Sequence, residues 1–220
     1  MWRLRCNMTR AATLRGVAAL CTAAVLAVGG GAARANDDTA RILGAEILVV
    51  RADLAQIAKP DLPPMHRTGF VKRIDGALGM IPWLLIAAGD PDAAAQVEEW
   101  QRDWTGDVRQ GARLDKVLKE LSSRHPLDVS AFDIGVSHAD LAEARAIHEA
   151  YCAGCHDGYG TGDPQVELAS RDLFWMARDE ATEQFLARLV NGVKGDETIG
   201  FVNPLTDKQI AALWKLYTYH

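Results

Sequence analysis

The apolar residues Ile42, Leu43, Ile47, Val50, Leu54 and Ile57 recur at close to 3.6-residue spacing. That period predicts an amphipathic helix, with Asp37 or Asp38 as its cap. Lys59-Pro60-Asp61-Leu62-Pro63-Pro64 stops it. A second helix is predicted over 66–88, weakened or kinked at Gly76, Gly79 and Pro82. Its last stretch, Ile81 to Ala88, is nearly all apolar and predicts a central, buried position. Asp90-Pro91 opens a third helix as cap and first-turn proline, carrying Val97, Trp100 and Trp104. Thr105-Gly106 breaks the chain before a fourth, at 108–123, with Val108, Leu114, Val117, Leu118 and Leu121. Four helices with short connections predict an antiparallel bundle over 36–125.

Residues 126–136, with Pro126, Asp128, Ser130 and Gly135, read as a linker. A second helix-rich unit occupies 137–220. Ser137 and Asp140 make an S-x-x-D start signal. A helix at 182–190 is bounded by Thr182 and by Asn191-Gly192. The last helix opens on Thr206-x-x-Gln209, a capping box, and runs to about Tyr217. No pair of alternating runs would make a sheet. The expected fold class is therefore all-α, an N-terminal helical bundle followed by a second helical domain.

The first 35 residues differ in kind. Arg3, Arg5, Arg10 and Arg15 precede the apolar run Val17–Val28, and Ala33-Arg34-Ala35 fits an A-x-A cleavage site. This is the pattern of a cleaved secretory signal, which places the mature protein in the periplasm. The run is short of the ~20 residues a membrane span takes, so no stable span is expected after cleavage. Removal changes two quantities. The signal carries five Arg and no acid, so the net charge falls from −5 to −10. That balance argues against nucleic acid or anionic lipid as a partner. It suits docking to a basic patch on another protein, although solubility alone accounts for it equally well. Of the four cysteines, Cys6 and Cys21 leave with the signal, and only Cys152 and Cys155 remain.

Those two belong to Cys152-Ala153-Gly154-Cys155-His156, a C-x-x-C-H sequence. Thiols at i and i+3 lie on one side of a helical turn, spaced to form thioethers with the two vinyl groups of one porphyrin. His156 is then placed to coordinate the iron. A redox dithiol, half of a zinc site and a small disulfide loop are the rival readings. Zinc takes about four ligands, and there is no second Cys pair. Covalent haem explains both the export signal and the absence of other thiols.

On these residues, the stretch from 137 to about 218 resembles the class I (mitochondrial-type) cytochrome c domain. The elements that carry the resemblance are a leading helix ending in C-x-x-C-H, a Gly-rich loop, and a middle helix ending in Asn191-Gly192. A last helix then opens with Leu205-Thr206-Asp207-Lys208-Gln209-Ile210. The resemblance implies that the first and last helices cross beside a single haem c. It places Ala144 as the small residue of the first helix and Tyr217 as the aromatic of the last. His148 stands where the family has Phe or Tyr. Pro164 is the candidate carbonyl for the second ring nitrogen of His156.

The chain departs from the family at one point. Where a distal Met is expected, within M-P-x-F, it reads Thr198-Ile199-Gly200-Phe201. The sixth iron ligand is left open. The candidates are Met176, the only Met downstream of the motif; Lys194; Asn191, better read as a helix stop; His148; His220; and Met65, His66, Met80, His125 and His138 from outside the matched core. Water or a vacant position is a further candidate. The resemblance implies an exported carrier of single electrons between redox protein partners. The other reading is a haem with an open distal site that binds or reduces NO, CO, O₂ or peroxide. A peroxidase-type centre wants a His or Glu beside the iron, and only Glu197 lies near the expected position, which points away from an enzyme.

Overall fold

The computed structural model describes residues 29–158, 162–167, 170–192 and 203–219. Every regular element among them is helical, so the protein is all-α. Helices α1 (Gly29–Ile57), α2 (Pro64–Ala87), α3 (Pro91–Asp103) and α4 (Val108–Arg124) come first, followed by a 3-10 turn at Val129–Phe132. Then come α5 (His138–Ile147), a π turn (His148–Cys152), α6 (Ala153–His156), α7 (Leu173–Asp179), α8 (Thr182–Asn191) and α9 (Asp207–Tyr219). No helix among the described residues is long and apolar enough to cross a membrane.

Local chemistry sets most of the boundaries. Asp90 caps α3 by accepting from the Ala93 amide at 3.3 Å, with Pro91 in the first turn. Asp107 caps α4 by accepting from Arg109 and Gln110. At α5, Ser137 and Asp140 form the reciprocal capping box, and at α9 Thr206 and Gln209 do the same. Two expectations are corrected. Helix α1 begins at Gly29 rather than at an Asp37 or Asp38 cap; Ala32, Ala33 and Ala35 favour helix ahead of Asn36, while Gly29–Gly31 do not. Thr182 is the first residue of α8 and caps nothing with its side chain. Helix α2 runs as one element from Pro64 to Ala87, with Gly76, Gly79 and Pro82 inside it.

Leu43, Ile47, Val50, Leu54 and Ile57 of α1 pack with Ile74, Leu78, Ile81 and Leu85 of α2, Val97 of α3, and Leu114, Leu118 and Leu121 of α4. This is the bundle read from periodicity. Trp100 and Trp104 pack partly buried against it, and the Trp104 indole donates to the Val71 carbonyl at 3.2 Å. The Ile81–Ala88 run is not wholly buried. Ile81, Leu84 and Leu85 face inward, while Trp83 is 67% and Ile86 57% exposed. The helical period divides an apolar run between two faces.

The remaining helices share α1 with the bundle. Its other face, Ala45, Leu48 and Val49, packs with Leu186, Ala187 and Val190 of α8 and with Ile210 and Ala211 of α9. The segment expected as a linker lies inside this second core, through buried Leu127 and Phe132. Its backbone comes so close to α1 that a Cβ at Gly44 would sit 2.7 Å from the Leu127 nitrogen. A third cluster joins Ala144 of α5, Met176 and Ala177 of α7, Phe185 of α8, and Leu213, Leu216 and Tyr217 of α9. Residues 36–220 form one compact unit. The segment 126–136 is a joint within it, anchored by Leu127 and Phe132 while its other residues are half-buried or exposed.

Candidate cofactor site

The helical path that starts at His138 reaches the C-x-x-C-H sequence through a change of pitch. At His148–Cys152 the backbone bonds widen to i→i+5, and Ala153–His156 resumes the α turn. Such π turns re-aim side chains over a short span. Cys152 comes out half-buried, against the third cluster, and Cys155 exposed. Cys152 closes the π turn and Cys155 follows three residues later in α6.

His156 is oriented by a backbone carbonyl. Its Nδ1 lies 2.6 Å from the oxygen of Arg171. A carbonyl only accepts, so Nδ1 carries the proton and Nε2 carries the free lone pair. The acceptor is not Pro164, which lies exposed in the preceding loop. Arg171 takes the role because the start of α7 folds back beneath the motif. Asp172, the α7 cap, accepts from the Trp175 amide at 2.9 Å and also reaches the Gly158 amide at 3.4 Å.

His148 packs against the last helix. It is buried, with Nδ1 3.1 Å from the Tyr217 hydroxyl and Nε2 3.1 Å from the Asp157 carboxylate. It meets Phe174 and Tyr217 edge-on, in the place where the resemblance puts an aromatic residue. The Tyr217 hydroxyl also hydrogen-bonds with the Cys152 sulfur. Burial raises the Cys152 thiol above its ordinary value, against the lowering effect of that hydrogen bond. Burial, with the neighbouring Cys152, also raises Tyr217 well above a normal phenol.

The other candidates separate. Met176 is a core residue of the third cluster. Asn191 is buried and donates to Glu46 at 2.6 Å. His125 is paired with Asp90 at 2.9 Å, Met80 packs against the bundle core, and His138 stands exposed at the start of α5. Met65 is exposed at the start of α2. His66 beside it lies, through Nε2, 2.6 Å from the Asp163 carbonyl. Lys72 pairs with Glu167 at 2.8 Å. The loop after the motif therefore rests on α2. Lys194, Glu197, Thr198, Ile199, Gly200, Phe201 and His220 lie outside the described residues, as do residues 1–28.

Comparison with protein-family models, curated proteins and solved structures gives no match for this chain.

Two features bear on a haem. One is the pair of thiols three residues apart. The other is a histidine whose remaining lone pair is fixed at Nε2. These residues would suit a covalent haem, with Cys152 and Cys155 holding it and His156 available to its iron. One feature was not foreseen from the sequence, a buried chain of ion pairs behind Arg171. The Arg171 guanidinium donates to Glu180 at 2.8 Å, and Arg188 donates to the same carboxylate at 2.8 Å. Arg188 also reaches Asp53 at 3.4 Å, and Arg73 donates to Asp53 at 2.7 Å. The sequence did carry a signal for it. Glu46 and Asp53 are acids set among the apolar positions of α1, and a buried charge implies a partner.

Proposed function

We propose that this protein is an exported c-type cytochrome that carries single electrons between redox protein partners. Cys152 and Cys155 would hold one haem c by thioethers, and His156 would be its proximal iron ligand. The observation that carries this reading is the 2.6 Å hydrogen bond from His156 Nδ1 to the Arg171 carbonyl, one turn away from two suitably spaced thiols. It fixes the tautomer that an iron ligand needs. The close packing of α5 on α9, with Ala144 and Tyr217 both buried, supports the resemblance to cytochrome c.

When bound, the haem would supply a one-electron Fe(III)/Fe(II) couple. The chain's own residues do the rest. Arg171 orients His156, Tyr217 and Phe174 belong to the cluster that half-buries Cys152, and Cys155 is exposed, so a haem held there would be open to a partner from that side. A net charge of −10 after signal cleavage favours a basic docking patch on that partner. Cleavage after Ala35 would remove Gly29–Ala35 from α1 and leave Asp37 and Asp38 in its first turn, where acids favour the helix dipole.

A second reading rests on a specific observation. Met176, the only Met after the motif, is committed to the apolar core. A haem here would then have an unusual or vacant distal position, able to bind NO, CO or O₂. One experiment separates the readings. The protein is produced by export in a host that attaches haem c, and covalent haem is verified in denaturant. A carrier gives a low-spin ferrous spectrum that CO leaves unchanged. A high-spin ferrous spectrum that shifts promptly with CO overturns the carrier reading in favour of ligand binding. Loss of bound haem on denaturation overturns both.

A further inference from the structure

We propose that the buried chain Arg73–Asp53–Arg188–Glu180–Arg171 positions the proximal histidine, so that helices α1 and α2 tune a haem bound about 80 to 100 residues further along the chain. This rests on the haem reading above.

The links are continuous. His156 Nδ1 donates to the Arg171 backbone oxygen. The Arg171 side chain is tied to Glu180 just after α7, Glu180 to Arg188 on α8, Arg188 to Asp53 on α1, and Asp53 to Arg73 on α2. Arg171 itself lies in the short non-helical segment before α7. Its carbonyl direction is therefore not fixed by a helix ladder. Two side chains fix it, the guanidinium of Arg171 and the carboxylate of Asp172.

The burial is deep. Asp53 is 1% and Glu180 5% exposed. Burial lowers Arg171 from its ordinary value. At Arg188 burial pulls the same way but is outweighed by Asp53 and Glu180, which hold it above its ordinary value. Apolar residues of similar size would usually stabilise such a core at least as well. A chain of five charges is better explained by a requirement for direction. It also holds three guanidiniums against two carboxylates, an excess of one positive charge. Removing either carboxylate would raise that excess and loosen Arg171. Both effects favour Fe(II), the first by charge and the second by weakening the donation of His156 to iron.

The test uses the haem-loaded protein. Glu180→Gln and Asp53→Asn are compared with Glu180→Asp and with Asp90→Asn, an α3 cap outside the chain. Two quantities are read, the midpoint potential and the solvent-exchange rate of the His156 Nδ1 proton by NMR. Glu180→Gln is expected to raise the ferrous-to-ferric ratio at fixed poise about tenfold, about 59 mV for one electron. It is also expected to speed Nδ1 proton exchange about tenfold. Asp53→Asn should shift both less, and Glu180→Asp should restore both in large part. Asp90→Asn should lower stability and move neither. A potential that moves without any change in exchange overturns positioning in favour of charge alone. Stability that falls with neither readout moving assigns the chain to folding only and overturns the proposal. If Glu180→Gln does not accumulate, Arg188→Lys decides, since it keeps the charge and loses the two-pronged geometry. An unchanged exchange rate in that variant overturns the proposal. Wild-type protein without covalent haem overturns the haem reading instead, before any variant is compared.

Discussion

The α1–α4 bundle and the described residues of 148–172 are held by different forces. In the bundle, Leu43, Ile47, Leu78, Ile81, Leu114 and Leu118 are fully enclosed by one another. In the motif turn, none of Ala153–His156 is buried. That turn keeps its shape through polar ties, namely Tyr217 to His148, Arg171 to His156, Asp172 to Gly158 and His66 to Asp163. Apolar burial is non-directional and tolerates small shifts. Hydrogen bonds fix an angle. The segment that would hold a cofactor is the one specified by direction, and the apolar surface it lacks is what a porphyrin would bring.

The contrast can be broken by showing that the two regions are independent. The largest effect is expected at their joint. Phe132→Ala should cost about 3–5 kcal/mol, because Phe132 is enclosed by α1, α8 and α9 residues. Unfolding followed by tryptophan fluorescence and by far-ultraviolet circular dichroism should still show one common midpoint, lowered in both. Two separate midpoints would make the regions independent units. A smaller effect is expected at Gly44→Ala. Overpacking against the Leu127 backbone typically costs about 1–3 kcal/mol, offset in part by the ~1 kcal/mol that alanine gains over glycine in a helix. A denaturant midpoint raised by this change would show that the joint is loose.

The smallest effect sharpens the polar side of the contrast. Asp140 is held down to about 2 from 3.8, first by the hydrogen bond from Lys208 on α9 and then by those from Ser137. A carboxylate depressed in the folded state stabilises above its unfolded pKa and loses that contribution as pH falls through the folded one. Asp140→Asn should therefore be less stable than wild type at pH 7. The gap should close between roughly pH 4 and 2. A gap that persisted at pH 2 would show that Asp140 acts by shape and not by charge.

Much of the fold was legible because its signals are local. Asp90-Pro91, Ser137-x-x-Asp140 and Thr206-x-x-Gln209 each cap a helix within four residues of chain. The periodic stripe of α1 named its inward face, and the spacing of Cys152, Cys155 and His156 named the candidate site. What was missed depends on distant partners. The 126–136 segment has linker composition, and only the arrival of α8 and α9 makes Phe132 a core residue. Helix α7 is too short to show a period. The acceptor for His156 was assigned to Pro164 because carbonyls carry no side-chain signature, and it proved to be Arg171. Asp53 announced a buried charge, yet nothing local named Arg73 or Arg188 as its partners.

Helix α1 has a face for the bundle and a face for the C-terminal helices, and the two are completed at different times. A chain that appears N-terminus first presents α2, α3 and α4 to α1 early. Ala45, Leu48 and Val49 must wait until α8 and α9 follow, some hundred and forty residues later. During that interval α1 carries an uncovered apolar strip flanked by Glu46 and Asp53, two acids whose α8 partners Asn191 and Arg188 have not yet appeared. Asp53 can already pair with Arg73 of α2. Helix α8 then arrives at an ion pair that is in place before it, and Arg188 and Asn191 fasten it over the strip.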